Sequence, residues 1–167
     1  GLVPTLVWGD VTLSQSLAIC EYLDELQPDP PLLPDGPLQR AQARAMALDI
    51  ASEVHPLNNL RVQRYLADQL AADEAARVAW MHHWMAAGFG TVEHRLNGLP
   101  QAGDTCFGGP PGLPDICLAA QAYNADRFGF SLEPFPRVAR IVAHCRTLPA
   151  FVAAVPEAQP DAPAAEG

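Results

Sequence analysis

Pro28-Asp29-Pro30-Pro31-Leu32-Leu33-Pro34-Asp35-Gly36-Pro37 places five prolines in ten residues. Proline lacks an amide hydrogen and fixes φ, so this stretch continues neither a helix nor a central strand and reads as a linker. It divides the 167 residues into two unlike parts. Upstream, Val3 to Trp8 and Val11 to Leu13 are β-prone runs joined by Gly9-Asp10, a pair suited to a two-residue hairpin turn with glycine first. Ser14 is expected to cap a helix that turns Leu17, Ile19, Cys20 and Leu23 inward, leaves Glu21, Asp24 and Glu25 in water, and ends before Pro28. Downstream there is almost no strand signal. A helical pattern over 38–70 is interrupted at His55-Pro56, where the missing amide predicts a kink or break. A second helix is expected over 73–96, with Val78, Trp80, Met81, Trp84, Met85, Phe89, Val92 and Leu96 along its apolar face. A Gly/Pro-rich loop over 97–113 precedes helices at 114–128 and 136–146, a short helix after Pro149 and a Pro/Ala tail. The predicted division is 1–27, hairpin plus helix; 28–37, linker; 38–160, helical bundle; 161–167, tail.

With 49% hydrophobic and 17% charged residues the chain can bury a core and is no disordered segment. A net charge of -9 argues against attraction to a polyanion, so no nucleic-acid partner is expected. All ten basic residues are arginine, which excludes Schiff-base lysine chemistry within these residues. Cys20, Cys106, Cys117 and Cys145 form no Cys-x-x-Cys pair and no His-Glu-x-x-His is present, so no metal site is expected. Scattered cysteines, no bilayer-length apolar run and no signal-like start predict a cytoplasmic protein without a membrane partner.

Three stretches together resemble the zeta class of glutathione transferases, the family of the maleylacetoacetate isomerases and the closely similar maleylpyruvate isomerases. They are Val3-Pro-Thr-Leu with Leu13-Ser-Gln-Ser-Leu-Ala-Ile19, His55-Pro-Leu-Asn-Asn-Leu-Arg-Val62, and Pro114-Asp-Ile-Cys-Leu118 with Tyr123-Asn-Ala-Asp-Arg-Phe128. Gln159-Pro-Asp-Ala-Pro163 resembles the family's C-terminus. The resemblance implies a mainly α fold: a glutathione-transferase C-terminal helical bundle preceded by the last β-β-α part of a thioredoxin-like domain. It implies an N-terminal truncation of roughly fifty residues. The Ser/Cys turn that activates the thiol is then expected upstream, and no catalytic residue is assigned within the chain.

The resemblance also implies a site. Val3, ahead of a proline the family holds cis, would offer its backbone to glutathione as an added strand does. Gln15 and Ser16 would meet the γ-glutamyl carboxylate at a helix start, unless Ser14 and Ser16 are only caps. His55, Asn59, Leu60 and Arg61 match positions lining the glutathione and substrate pocket; the alternative is that His55 and Asn59 only satisfy orphan backbone groups at the break. Arg127, with Arg61, would hold substrate carboxylates, or else pair with a helix neighbour. His82-His83, Cys20 and Cys117 read as structural. Gly112-Leu-Pro-Asp115 departs from the family's Thr-x-Ala-Asp capping box, which predicts a looser segment.

The implied activity is glutathione-dependent cis-trans isomerisation of maleylacetoacetate in tyrosine and phenylalanine catabolism. It proceeds by thiolate addition to the cis double bond, rotation and elimination. Glutathione is the cofactor, a small dicarboxylate the substrate, and a homodimer the expected assembly. Maleylpyruvate is the alternative substrate, a non-catalytic dimerisation or binding module the alternative role. By itself the chain is expected to be inactive.

Overall fold

A computed structural model describes residues 3–162; the expectations placed on Gly1, Leu2 and 163–167 lie outside the described residues. Strands β1 (Thr5–Trp8) and β2 (Val11–Ser14) pair antiparallel, with Trp8 opposite Val11 and Thr5 opposite Ser14. Gly9 takes the positive φ of 56° that the first position of a tight hairpin turn demands. Helix α1 (Ser16–Leu26) follows, then α2 (Pro37–Ala51), α3 (Leu60–Leu70), α4 (Glu74–Asn97), α5 (Leu113–Arg127), α6 (Pro136–Cys145), α7 (Pro149–Ala153) and a 3₁₀ turn at Pro156–Ala158.

Two cores hold the helices together. The larger joins Met46, Ile50 and Val54 to Met81, Met85, Phe89 and Val92 of α4, Leu118 and Ala122 of α5, and Val138 and Ile141 of α6. The predicted α4 face is the buried one. The smaller gathers Leu33, Ala43, Ala47 and Leu113, with Leu17 and Cys20 of α1 packed against them.

The structure corrects the sequence expectations in four places. Ser14 is the last residue of β2, not a cap; Gln15 holds the cap position and makes no side-chain cap bond. On α1 Leu23 is exposed, and Asp24 is half-buried with its carboxylate accepting from Leu32 N at 2.7 Å. Glu21 likewise pairs with Arg44 at 2.5 Å. The proline-rich stretch is therefore fastened, with Leu33 only 3% exposed and Pro37 already the first residue of α2, where its missing amide costs nothing. Finally, the segment around Gly112 is tied down. Leu113 N donates to Leu32 O at 2.8 Å. The buried Asp115 carboxylate accepts from Gly112 N and Cys106 N, both at 2.9 Å.

Candidate functional site

The interruption around Pro56 is wider than a kink: eight residues of turn separate α2 from α3. Ile50 O accepts from His55 N at 2.9 Å, and Trp80 of α4 donates its indole N–H to Leu57 O at 2.8 Å, pinning the turn to the bundle. Asn59 caps α3, its side-chain oxygen accepting from Arg61 N at 3.0 Å. Asn59, Leu60 and Arg61 are all exposed. For the Asn59 oxygen, satisfying an orphan backbone group is thus what the structure shows.

His55 is exposed as a residue, yet protein crowding around its ring holds its pKa below the ordinary histidine value. The Gln121 amide of α5 stands beside it and pushes the other way. Gln121 is 1% exposed and neither of its amide atoms completes a well-formed hydrogen bond. This neighbour was missed from sequence, although a glutamine inside an apolar helix was a visible signal.

Arg127 is the last residue of α5, where the helix dipole favours a cation. Its guanidinium lies 5.7 Å from the Phe128 ring centroid. Among the described residues no carboxylate pairs with it; the adjacent Asp126 pairs instead with Arg146. The salt-bridge alternative is therefore not the one seen. Gln121 and Arg127 are six residues apart on one helix, about 9 Å of axial rise, so α5 links the His55 turn to this free cation.

On the hairpin side, the Val3-Pro4 peptide is cis, and Val3, Gln15 and Ser16 are exposed. Gln15 sits at φ 73°, a conformation unusual for a side-chain-bearing residue. No side chain caps α1, so its first-turn amides keep their donor capacity. Among the described residues no hydrogen bond or ion pair joins Val3, Gln15 or Ser16 to the 55–61 segment. A cavity of about 480 Å³ bounded by Asn97, Pro136, Arg137 and Arg140 includes none of these residues.

The cysteines contribute no nucleophile. Burial pushes Cys20 and Cys106 up and carries Cys117 and Cys145 to about 12, so all four are thiols at neutral pH. No cluster of metal-ligating side chains occurs among the described residues, and no described helix is long and apolar enough to cross a membrane.

No family model matches the chain. It is 45% identical to a probable maleylacetoacetate isomerase of Vibrio cholerae over 96% of its own length and 74% of that protein. The holo structure of a maleyl pyruvate isomerase, a bacterial zeta-class glutathione S-transferase, superposes with a TM-score of 0.94 at 42% identity, over 97% of this chain and 76% of that one. A maleylacetoacetate isomerase from Methylobacterium extorquens, solved with malonate and glutathione bound, gives a TM-score of 0.91 at 35% identity over 98% and 77%.

Proposed function

The chain belongs to the zeta-class glutathione transferases, the family of the maleylacetoacetate and maleylpyruvate isomerases, and on that premise we propose that it binds glutathione and serves the cis-trans isomerisation of a maleyl-type dicarboxylate. The observation that carries this reading is Arg127. In a chain of net charge -9, its exposed guanidinium has no carboxylate partner among the described residues, at the end of the helix that also faces His55. Such a cation suits one carboxylate of a dianion, and Arg61 at the start of α3 suits the other. Glutathione supplies the thiol chemistry when bound. The open first turn of α1 and the Val3 backbone would hold it from one side, and His55, Asn59 and Leu60 from the other.

In this proposal residues 1–27 form the glutathione side and 38–160 the dicarboxylate side. Maleylacetoacetate, in tyrosine and phenylalanine breakdown, is the first substrate to test and maleylpyruvate the second, because relatives of both kinds share more than 40% identity with the chain. A cytoplasmic homodimer completes the proposal, and light scattering of the purified protein tests the dimer. Arg127→Ala should lower kcat/KM for the preferred dicarboxylate about 10- to 100-fold, the scale of one lost charge-assisted hydrogen bond. Unchanged kinetics would remove Arg127 from the site. Competition between the two acids decides between them.

A further inference from the structure

His82 is left over by the site described above, and its contacts lead to Arg127. Helix α5 ends in a Schellman motif: Gly129 takes a φ of 66°, Gly129 N donates to Asp126 O at 3.1 Å, and Phe130 N donates to Ala125 O at 2.9 Å. The Phe128 carbonyl, at the helix cap, instead meets His82 Nε2 of α4 at 2.8 Å. A carbonyl only accepts, so Nε2 carries the hydrogen and the tautomer is fixed. The imidazole is held on a second side by an edge contact with Phe130, centroids 5.4 Å apart at 71°. Phe130 in turn stacks on Phe89 and Phe135 in the bundle. Phe128 is also the residue whose ring lies under the Arg127 guanidinium. The neighbouring His83, by contrast, is exposed and leans on Trp84.

We propose that His82 is a positioning residue for Arg127: by fixing the Phe128 peptide from α4 it orients the ring on which the guanidinium rests, and so aims that cation at a substrate carboxylate. The inference rests on the dicarboxylate reading of Arg127. An exposed arginine explores many rotamers, and an arginine preorganised by a fixed aromatic face loses less freedom when it closes on a carboxylate. The bond from His82 spans 46 residues of sequence, so it transmits the rigidity of the bundle core to a helix end that would otherwise fray.

The test is an NMR titration of the glutathione-saturated full chain with maleate, with glutathione affinity measured alongside. His82→Phe keeps an aromatic ring against Phe130 and loses the donor; His82→Gln keeps a donor. His82→Phe should weaken maleate about tenfold while leaving glutathione within twofold, and His82→Gln should restore maleate binding. His82→Phe should add nothing on an Arg127→Ala background. Equal weakening of both ligands, no weakening of maleate, or full additivity with Arg127→Ala would each overturn the proposal. If Arg127→Ala itself leaves maleate unaffected, the dicarboxylate reading falls and takes the positioning role with it. If Arg127→Ala weakens maleate and His82→Phe does not, only the positioning role falls. Ring ¹⁵N shifts of His82 in the unmutated protein give a readout independent of variant folding, and an Nδ1–H tautomer there would also overturn the proposal.

Discussion

Replacing Gly112 with serine sets two physical arguments against each other. Capping logic favours the change: Gly112 precedes α5 without a side-chain cap, and a serine hydroxyl there is worth a few tenths of a kcal/mol over glycine. The packing opposes it. A Cβ on Gly112 would stand 2.6 Å from Leu32 O, a backbone atom in the fastened proline-rich stretch. Relieving that overlap means moving the carbonyl that accepts from Leu113 N at 2.8 Å. Loss of one hydrogen bond costs about 1 kcal/mol, and overpacking a close contact about 1–3 kcal/mol. The backbone at Gly112, φ -115°, is open to any residue and adds no strain. The sum is a net destabilisation of about 2–4 kcal/mol, a fall in Tm of about 2–4 °C for each kcal/mol in a chain of this size. Urea unfolding followed by tryptophan fluorescence measures it. A Gly112→Ser protein with a higher midpoint than the parent would show that Leu32 yields without loss and that the cap dominates.

Two other perturbations follow from buried contacts of the same kind. Gly88→Ala would place a Cβ 2.0 Å from Val54 Cγ2 and should destabilise by about 1–3 kcal/mol; adding Val54→Ala should recover part of that, and a purely additive double variant in urea unfolding would refute the contact. Burial raises the pKa of Asp115 above its ordinary value, against the opposing pull of the Gly112 and Cys106 amides. Because the folded pKa lies above the unfolded one, that contribution to stability is complete below about pH 4 and declines as pH rises through the folded value. The stability advantage of the parent over Asp115→Asn should therefore shrink with rising pH in urea titrations; a widening gap would mean that the amide bonds outweigh desolvation.

The helices were legible because their signals are local. The β-prone run of Val3 to Trp8, the α4 apolar face and the prolines at 114 and 136 depend on residue type, periodicity and backbone chemistry, which sequence carries directly. What sequence could not carry was contact at a distance. Asp24 read as a solvated face because its partner, Leu32 N, lies eight residues away across a proline-rich turn. Gly112 read as a loss because the Leu32 carbonyl occupying its Cβ position is invisible in the local motif. The residues resembling a pocket were found as a string at 55–61, yet the α5 group beside His55, Gln121, comes from 66 positions further along. Likewise His82 looked like an idle member of a His-His pair until Phe128 O, 46 residues on, gave it a bond.

Charge placement ties fold to proposed function. Arg44, Arg95, Arg140 and Arg146 each have a carboxylate within 4 Å, from Glu21, Asp49, Asp104 and Asp126. The other six, Arg40, Arg61, Arg64, Arg77, Arg127 and Arg137, show no such ion pair among the described residues, so what marks Arg127 is its place, beside an acid already engaged and at the end of the helix that faces His55. Arg127 has Asp126 as its sequence neighbour and still is not paired with it, because consecutive helical residues project about 100° apart and Arg146 captures the acid instead. The Asp126–Arg146 pair thus keeps that carboxylate from Arg127. Surface pairs contribute little stability, about 0–1 kcal/mol, so Arg146→Ala should barely move the unfolding midpoint. It should nevertheless weaken maleate binding, because the freed Asp126 carboxylate would screen Arg127. Unchanged maleate affinity in Arg146→Ala would show that the two charges act independently.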